Sequence, residues 1–318
     1  MERIEQFKVL TNEINMNVAS IGTGPPILFL HGFPELWFSW RHQMLSLSKK
    51  GYRCIAPDLR GYGDTDAPPE PESYSALHIA GDIVGLLDNL GIDQVFLVGH
   101  DWGAFMAWSF CLFRPDRVKA VVNLSVPYIA MNPKKQFLDG FREYYGDLYY
   151  MCRFQEQGEM EKEFASIETE TVLKKLYTSF GLTPLLIPEE KDGGFKSLPP
   201  PETLPSWLTD DVLDFYTKKF DQSGFARGLN YYRSMNTSWK LLIPWSDAQV
   251  KVPAKFIVGD LDHPFNLPGM KDYVLNGGFK KDVPLLEEVV IIQDVPHFIN
   301  QARPDEISDH IYEFIKKF

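Results

Sequence analysis

Up to about Pro127 the chain switches between two hydrophobic periods, and this alternation narrows the folds open to it more than any other feature. "PPILFLHG" is a short apolar run ending in glycine, a strand. Pro34 to Lys50 carries helical spacing through Trp37, Trp40, Met44, Leu45 and Leu47. "YRCIAPDLRG" is a strand entering a loop. "YSALHIAGDIVGLLDNLG" is an amphipathic helix closed by Gly91. "QVFLVGH", "WGAFMAWSFCLF" and "VKAVVNLSVP" read as strand, helix and strand. Short continuous apolar strands that alternate with helices predict an α/β fold, a parallel sheet covered on both faces.

The texture then changes. Pro133 to Trp239 has helical stretches, many tyrosines and no convincing strand, and "EEKDGGFKSLPPPETLPS" is too rich in Gly and Pro for regular structure. "AKFIVGDLD" and "EEVVIIQDV" return to strand type, and "PDEISDHIYEFIKKF" predicts a closing, capped amphipathic helix. The expected organisation is one α/β core in two parts, residues 1–130 and 241–318, split by a helical lid over 131–240. No internal repeat is present. The chain has 318 residues, 44% of them hydrophobic, enough for such a core and lid.

Charge and cysteines exclude several function classes. A net charge of −11 with no Lys/Arg block argues against nucleic acid and anionic membrane as partners. No apolar run reaches membrane-spanning length. Cys54, Cys111 and Cys152 are scattered, without metal-ligand spacing, which fits a reducing compartment. "MERIEQFKVL" lacks the apolar region of a signal peptide, and "IKKF" is no peroxisomal address. The expectation is a cytoplasmic monomer with neither metal nor cofactor.

The chemistry begins at "FLVGHDWGAFMAW". Gly99-x-Asp101-x-Gly103 lies where an apolar strand meets a buried helix, the spacing of a nucleophile elbow with Asp101 where serine is usual. Alone, Asp101 could equally cap the helix. A nucleophile needs a base and a group that orients it, and in this chain order both follow the nucleophile at strand ends. "VPHF" supplies His297, and "FIVGDLD" supplies Asp260 and Asp262; Asp260 follows Gly259 directly and reads as a turn cap, so Asp262 is chosen. His42, His78 and His310 fall inside predicted helices, whereas His31 and His100 neighbour the active loops. The oxyanion donors expected are the backbone N–H groups of Trp102, after the nucleophile, and of Phe33 in "HGFPE".

Aspartate at the elbow selects the substrate. Serine attack on a saturated carbon gives an ether, a dead end. Aspartate attack gives an alkyl ester that water cleaves at the Asp101 carbonyl. The carboxylate, with a reference pKa of about 4, is already ionised, so the base is free for the second step. Electrophilic sp³ carbons, in epoxides or alkyl halides, are therefore the candidate targets. An opening epoxide leaves a basic alkoxide that wants an O–H donor, and Tyr144, Tyr145, Tyr149, Tyr150, Tyr177, Tyr216, Tyr231 and Tyr232 lie in the lid region. Enrichment alone singles out none of them.

"HGFPELWFSWRHQM", "DLRGYGDTDAP", "VGHDWGA", "RFQEQGE", "LNYYR", "GDLD", "NGGFKKDVPLLEEVV" and "HFINQ", in that order, closely resemble plant soluble epoxide hydrolases of the α/β-hydrolase superfamily over essentially the whole chain. The resemblance implies the α/β-hydrolase fold, a mostly parallel sheet of about eight strands flanked by helices, with an inserted helical lid. It implies Asp101 as nucleophile, His297 as base and Asp262 as orienting acid. It also implies two lid tyrosines on the epoxide oxygen: Tyr150, four positions before Phe154 of the FQ pair, and Tyr232, at the end of the L-N-aromatic-Tyr motif. Tyr149 and Tyr231 are the alternatives. Glu35 is a candidate to hold the hydrolytic water, or simply a first-turn carboxylate. The implied substrates are epoxy fatty acids, with aryl epoxides as models. One departure stands out: His263-Pro264 follows the acid where apolar residues are expected. The rivals are a haloalkane dehalogenase, which shares the elbow but commonly has asparagine at the Phe33 position, and a ligand receptor on a hydrolase fold.

Overall fold

The computed structural model describes residues 4–318. Its strands are β1 (Glu5–Thr11), β2 (Ile14–Ile21), β3 (Pro26–Leu30), β4 (Arg53–Pro57), β5 (Val95–His100), β6 (Val118–Leu124), β7 (Ala254–Gly259) and β8 (Leu286–Ile292). They form an eight-stranded sheet in the order β1-β2-β4-β3-β5-β6-β7-β8. β1, β2 and β4 pair antiparallel, and every other neighbour is parallel. The alternation reading anticipates β3 to β8 but not the β1–β2 hairpin. That hairpin turns on Asn12 and Glu13, both with positive φ (45° and 66°), as a two-residue primed turn requires.

Period-2 burial explains the layers. Leu28, Leu30, Val95 and Leu97 join the core on one face, and Ile27, Phe29, Phe96 and Val98 join that on the other. Helices α1 (Arg41–Lys49), α2 (Ala76–Asn89) and α3 (Trp102–Phe113) follow β3, β4 and β5. α2 and α3 cover the first face through Ile79, Ile83, Met106 and Phe110, and α1 covers the second through Met44 and Leu47. The helical turn expected from Pro34 begins later: a 3₁₀ turn spans Trp37–Trp40, and α1 starts at Arg41.

After β6 come α4 (Phe137–Tyr145), α5 (Tyr150–Arg153), α6 (Glu159–Ala165), α7 (Thr169–Ser179), α8 (Asp210–Ser223), α9 (Ala226–Arg233) and α10 (Met235–Leu242). This stretch contributes no strand to the sheet, only an isolated bridge between Tyr149 and Leu186. Its Gly/Pro-rich loop is more ordered than its composition predicts. It holds 3₁₀ turns at Glu190–Asp192 and Phe195–Ser197. Buried Lys175 donates to the Lys196 and Leu198 carbonyls, and Glu163 accepts from the Phe195 amide. The inserted helices close onto the sheet's C-terminal edge: the Tyr231 hydroxyl donates to the Arg60 carbonyl at 3.0 Å, and that of Tyr177 to the Pro34 carbonyl at 2.8 Å.

The chain then forms β7, α11 (His263–Asn266), α12 (Met270–Leu275), α13 (Gly278–Asp282), β8, α14 (Ile299–Ala302) and α15 (Pro304–Ile315). α15 lacks the expected side-chain cap: its N-cap residue is Arg303, and Pro304 with Asp305 and Glu306 in the first turn takes that role. Among the described residues no helix is long and apolar enough to cross a membrane. The strand order reverses at β3, since the chain runs from β3 out to β4 and then crosses to β5 on the other side. A crevice opens at the C-terminal ends of strands flanking such a switch point. The loops after β3 and β5 meet there.

Candidate active site

Asp101 occupies the sharp turn between β5 and α3 with φ 54° and ψ −123°. A non-glycine residue at positive φ is strained, by about 1–3 kcal/mol, and needs surroundings that enforce it. Two glycines allow the turn to close. A Cβ on Gly103 would lie 2.1 Å from the Leu30 carbonyl oxygen, and one on Gly99 would lie 2.5 Å from the Gly103 carbonyl oxygen. The Asp101 side chain makes no capping bond to α3, so the helix-cap reading is excluded.

Its carboxylate is instead divided between two partners. Oδ1 accepts from the Phe33 backbone N–H at 2.8 Å. Oδ2 lies 3.3 Å from His297 Nε2. The Phe33 amide gets this close because residue 32 is glycine, whose Cβ would fall 2.4 Å from Asp101 Oδ1. Trp102 opens α3, so its N–H is among the first-turn amides that the helix leaves unpaired.

Behind His297, Nδ1 lies 2.9 Å from Asp262 Oδ1. Asp262 is fully buried and His297 nearly so, whereas Asp101 keeps 16% of its side chain exposed. Asp260 takes the structural role expected of it, accepting from the Val295 amide across the turn. Ser125, which sequence reasoning missed, places Oγ 3.0 Å from the same His297 Nδ1. It sits one residue beyond β6 with φ 73°, and its position at a strand's C-terminal end was the only available signal.

The electrostatics follow from this arrangement. Burial disfavours a charged His297, but the Asp262 charge, hydrogen bonds to both aspartates and the Asp101 charge outweigh it and push the pKa up to about 10. Burial likewise works against the Asp101 charge, but the hydrogen bond and charge of His297, with the Phe33 amide, hold its carboxyl below the usual carboxylate range. The resting pair is therefore aspartate and imidazolium.

Glu35 and His100 form a second buried pair. Glu35 Oε2 lies 2.8 Å from His100 Nδ1 and accepts from the Gly32 amide at 3.1 Å, and Oε1 accepts from Gln301 Nε2 at 3.3 Å. His100 Nε2 lies 2.9 Å from the His297 carbonyl oxygen. Glu35 is thus no exposed first-turn carboxylate. It ties the loop that carries the Phe33 amide to the backbone of His297.

The tyrosine neighbours separate by what their hydroxyls do. Tyr149 lies 3.0 Å from His263 Nε2, and Tyr231 donates to the Arg60 carbonyl. Tyr150 and Tyr232 have no such anchor. Their rings meet edge-on at 5.9 Å, each against Phe154. Burial raises both phenols well above the usual pKa, and the Asp101 charge adds to the rise, so both stay protonated. Asp101, Trp102, Tyr149, Tyr150 and His263 line a cavity of about 140 Å³. Among the described residues, no group of three or more His, Cys, Asp or Glu side chains could hold a metal ion.

A strained acidic elbow at the switch point of a mostly parallel sheet, with a histidine and a second acid behind it, defines the class. The family model of the alpha/beta hydrolase fold matches residues 25–300, and the chain belongs to that family. It is 62% identical to epoxide hydrolase 2 of Siraitia grosvenorii over the whole of both chains. It is 35% identical to an epoxide hydrolase of Caballeronia sordidicola, covering 98% of this chain and 94% of that one. The structure of potato (Solanum tuberosum) epoxide hydrolase I superposes with a TM-score of 0.96 at 52% identity, covering 99% of this chain and all of the potato chain. Within the hydrolase fold, the chain is a member of the epoxide hydrolase family.

Proposed function

We propose that the chain converts epoxides to vicinal diols through a covalent ester on Asp101, without metal or cofactor, as a cytosolic monomer. The observation that carries this reading is the division of the Asp101 carboxylate: Oδ1 is held by the Phe33 amide, which leaves Oδ2 as nucleophile beside His297. Oδ2 attacks a ring carbon as that carbon's bond to the ring oxygen breaks. Tyr150 and Tyr232 hydrogen-bond the ring oxygen, and one of them gives it a proton.

Ester formation neutralises Asp101 and removes part of what holds the proton on His297. The pKa of His297 falls, its proton leaves, and over the cycle that proton restores the phenol. Neutral His297, oriented by Asp262, then takes a proton from water as the water oxygen attacks the ester carbonyl. The resulting oxyanion on Oδ1 is held by the N–H groups of Phe33 and Trp102. Collapse expels the diol oxygen, which takes the proton back from His297. The hydrolytic water lies against the Glu35–His100 pair in this reading.

The cavity supports an apolar substituent on the ring. Phe105, Trp108, Leu112, Met131 and Trp239 line it, and no lysine or arginine does. An aryl group or the hydrocarbon chain of an epoxy fatty acid fits this wall.

Isotope labelling tests the covalent step. In H₂¹⁸O with enzyme in excess, single-turnover diol is expected to be almost unlabelled, while the peptide containing Asp101 gains the heavy oxygen. Labelled diol in the first turnover, with no adduct on the protein, would mean that water attacks the ring directly and that Asp101 is no nucleophile.

A further inference from the structure

His263 is the departure that the family resemblance leaves unexplained, and the structure gives it a place. It opens α11 directly after Asp262, is 4% exposed, and lines the cavity together with Asp101 and Tyr150. Its Nε2 lies 3.0 Å from the Tyr149 hydroxyl, and its Nδ1 is buried with no hydrogen-bond partner. Tyr149 is itself fully buried, its ring packed edge-on against Tyr150 with centroids 4.7 Å apart. The Tyr149 side chain is thus held between His263 on one side and the ring of Tyr150 on the other.

The unpartnered Nδ1 decides which ring nitrogen carries the proton. A proton on Nδ1 would bury a donor with nothing to accept it, whereas a proton on Nε2 leaves only a lone pair unused. With the proton on Nε2, His263 donates to the Tyr149 oxygen. That bond fixes the Tyr149 ring where it packs edge-on against Tyr150, and the Tyr150 O–H is left for the substrate. Tyr232 lies against Trp102 and Phe154 and has no such support from His263.

We propose that His263 is a positioning residue for Tyr150, anchoring the Tyr149 ring that packs against it and so holding the Tyr150 hydroxyl in place during alkylation. This rests on the reading of Tyr150 as an acid. In the step concerned, an Asp101 Oδ2 lone pair forms the new bond to carbon. The electrons of the breaking C–O bond go to the ring oxygen, which takes the Tyr150 proton. The negative charge moves from Asp101 to the Tyr150 oxygen. No proton leaves Tyr149 or His263.

The test is single-turnover alkylation of excess enzyme with styrene oxide as probe, read by rapid quench. His263→Leu is expected to slow alkylation about tenfold while leaving ester hydrolysis unchanged, and His263→Gln, which keeps an N–H donor, is expected to recover most of the rate. Tyr149→Phe should match His263→Leu. The loss should persist in a Tyr232→Phe background and vanish in a Tyr150→Phe background, because the link has then lost its target. An equal loss in the Tyr150→Phe background, no loss at all, or a fall in hydrolysis instead of alkylation would overturn the proposal. If Tyr150→Phe alone leaves alkylation intact, the acid assignment fails and the proposal fails with it; a normal Tyr150→Phe loss with an additive His263→Leu effect removes only the link.

Discussion

Asp262→Asn is the substitution for which the structure gives the most specific expectation. Asp262 is fully buried, and its charge is the largest of the contributions that raise the His297 pKa against burial. In a triad, aspartate-to-asparagine exchange costs about 10⁴ in rate when the imidazole is left in the wrong tautomer. Here Ser125 Oγ lies 3.0 Å from the same Nδ1 and can still accept its proton. The tautomer survives, and what is lost is a hydrogen bond to a charged partner. Such a bond contributes roughly 1.5–3 kcal/mol, which is roughly 10–150-fold in rate. Ester hydrolysis in Asp262→Asn should therefore fall about 10²-fold. Asp262→Asn/Ser125→Ala should fall toward about 10⁴-fold, because nothing then fixes the ring. Alkylation should change far less, since Asp101 attacks as an anion and needs no base. Quenched single turnovers read by intact-protein mass would show the ester building up in both variants. If Ser125→Ala adds nothing to Asp262→Asn, Ser125 does not hold the ring. If hydrolysis survives the double change, Asp262 is not the orienting acid.

Three further outcomes are expected. Replacing Tyr150 or Tyr232 by Phe removes a donor to developing charge, typically about 2.7–4 kcal/mol each; pre-steady-state alkylation should slow in each variant and further in the double one, and an unimpaired double variant would rule the pair out. His297 is held protonated up to about pH 10, and in the proposed mechanism it releases its proton only once Asp101 is esterified. Ester hydrolysis should accordingly rise with pH through the lowered pKa of His297 in the ester, while alkylation stays level until the resting pair titrates near pH 10; a hydrolysis rate that is flat while His297 is seen to titrate would require another base. Away from the site, Arg60 donates to buried Asp82 through Nε at 2.8 Å and Nη2 at 2.6 Å. Breaking such a pair by Asp82→Asn should cost about 3–5 kcal/mol in urea unfolding, and a loss below about 1 kcal/mol would show that the guanidinium finds other partners.

What the sequence alone determined is whatever local backbone and burial dictate. β3 and β5 are legible because strands buried on both faces must be continuously apolar. The elbow is legible because Gly99 and Gly103 are the residues that let the turn close, a steric demand met within five positions. Chain order then pointed to His297 and Asp262, which the structure brings within 2.9 Å of each other, while Tyr150 and Tyr232 came only from the family resemblance. The β1–β2 hairpin escaped because its strands carry an alternating pattern, Phe7 and Val9 in one and Ile14, Met16 and Val18 in the other, and not the continuous apolar run that marks β3 and β5. Only the tertiary structure decided which hydroxyls are committed: Tyr149 to His263, Tyr231 to the Arg60 carbonyl. It alone joined Glu35 to His100, 65 positions apart, and Ser125 to His297, 172 apart. Hydrophobic periodicity records how a residue faces its own helix or strand. It carries nothing about which polar atom waits across the crevice, because that pairing is set by the packing of one element on another.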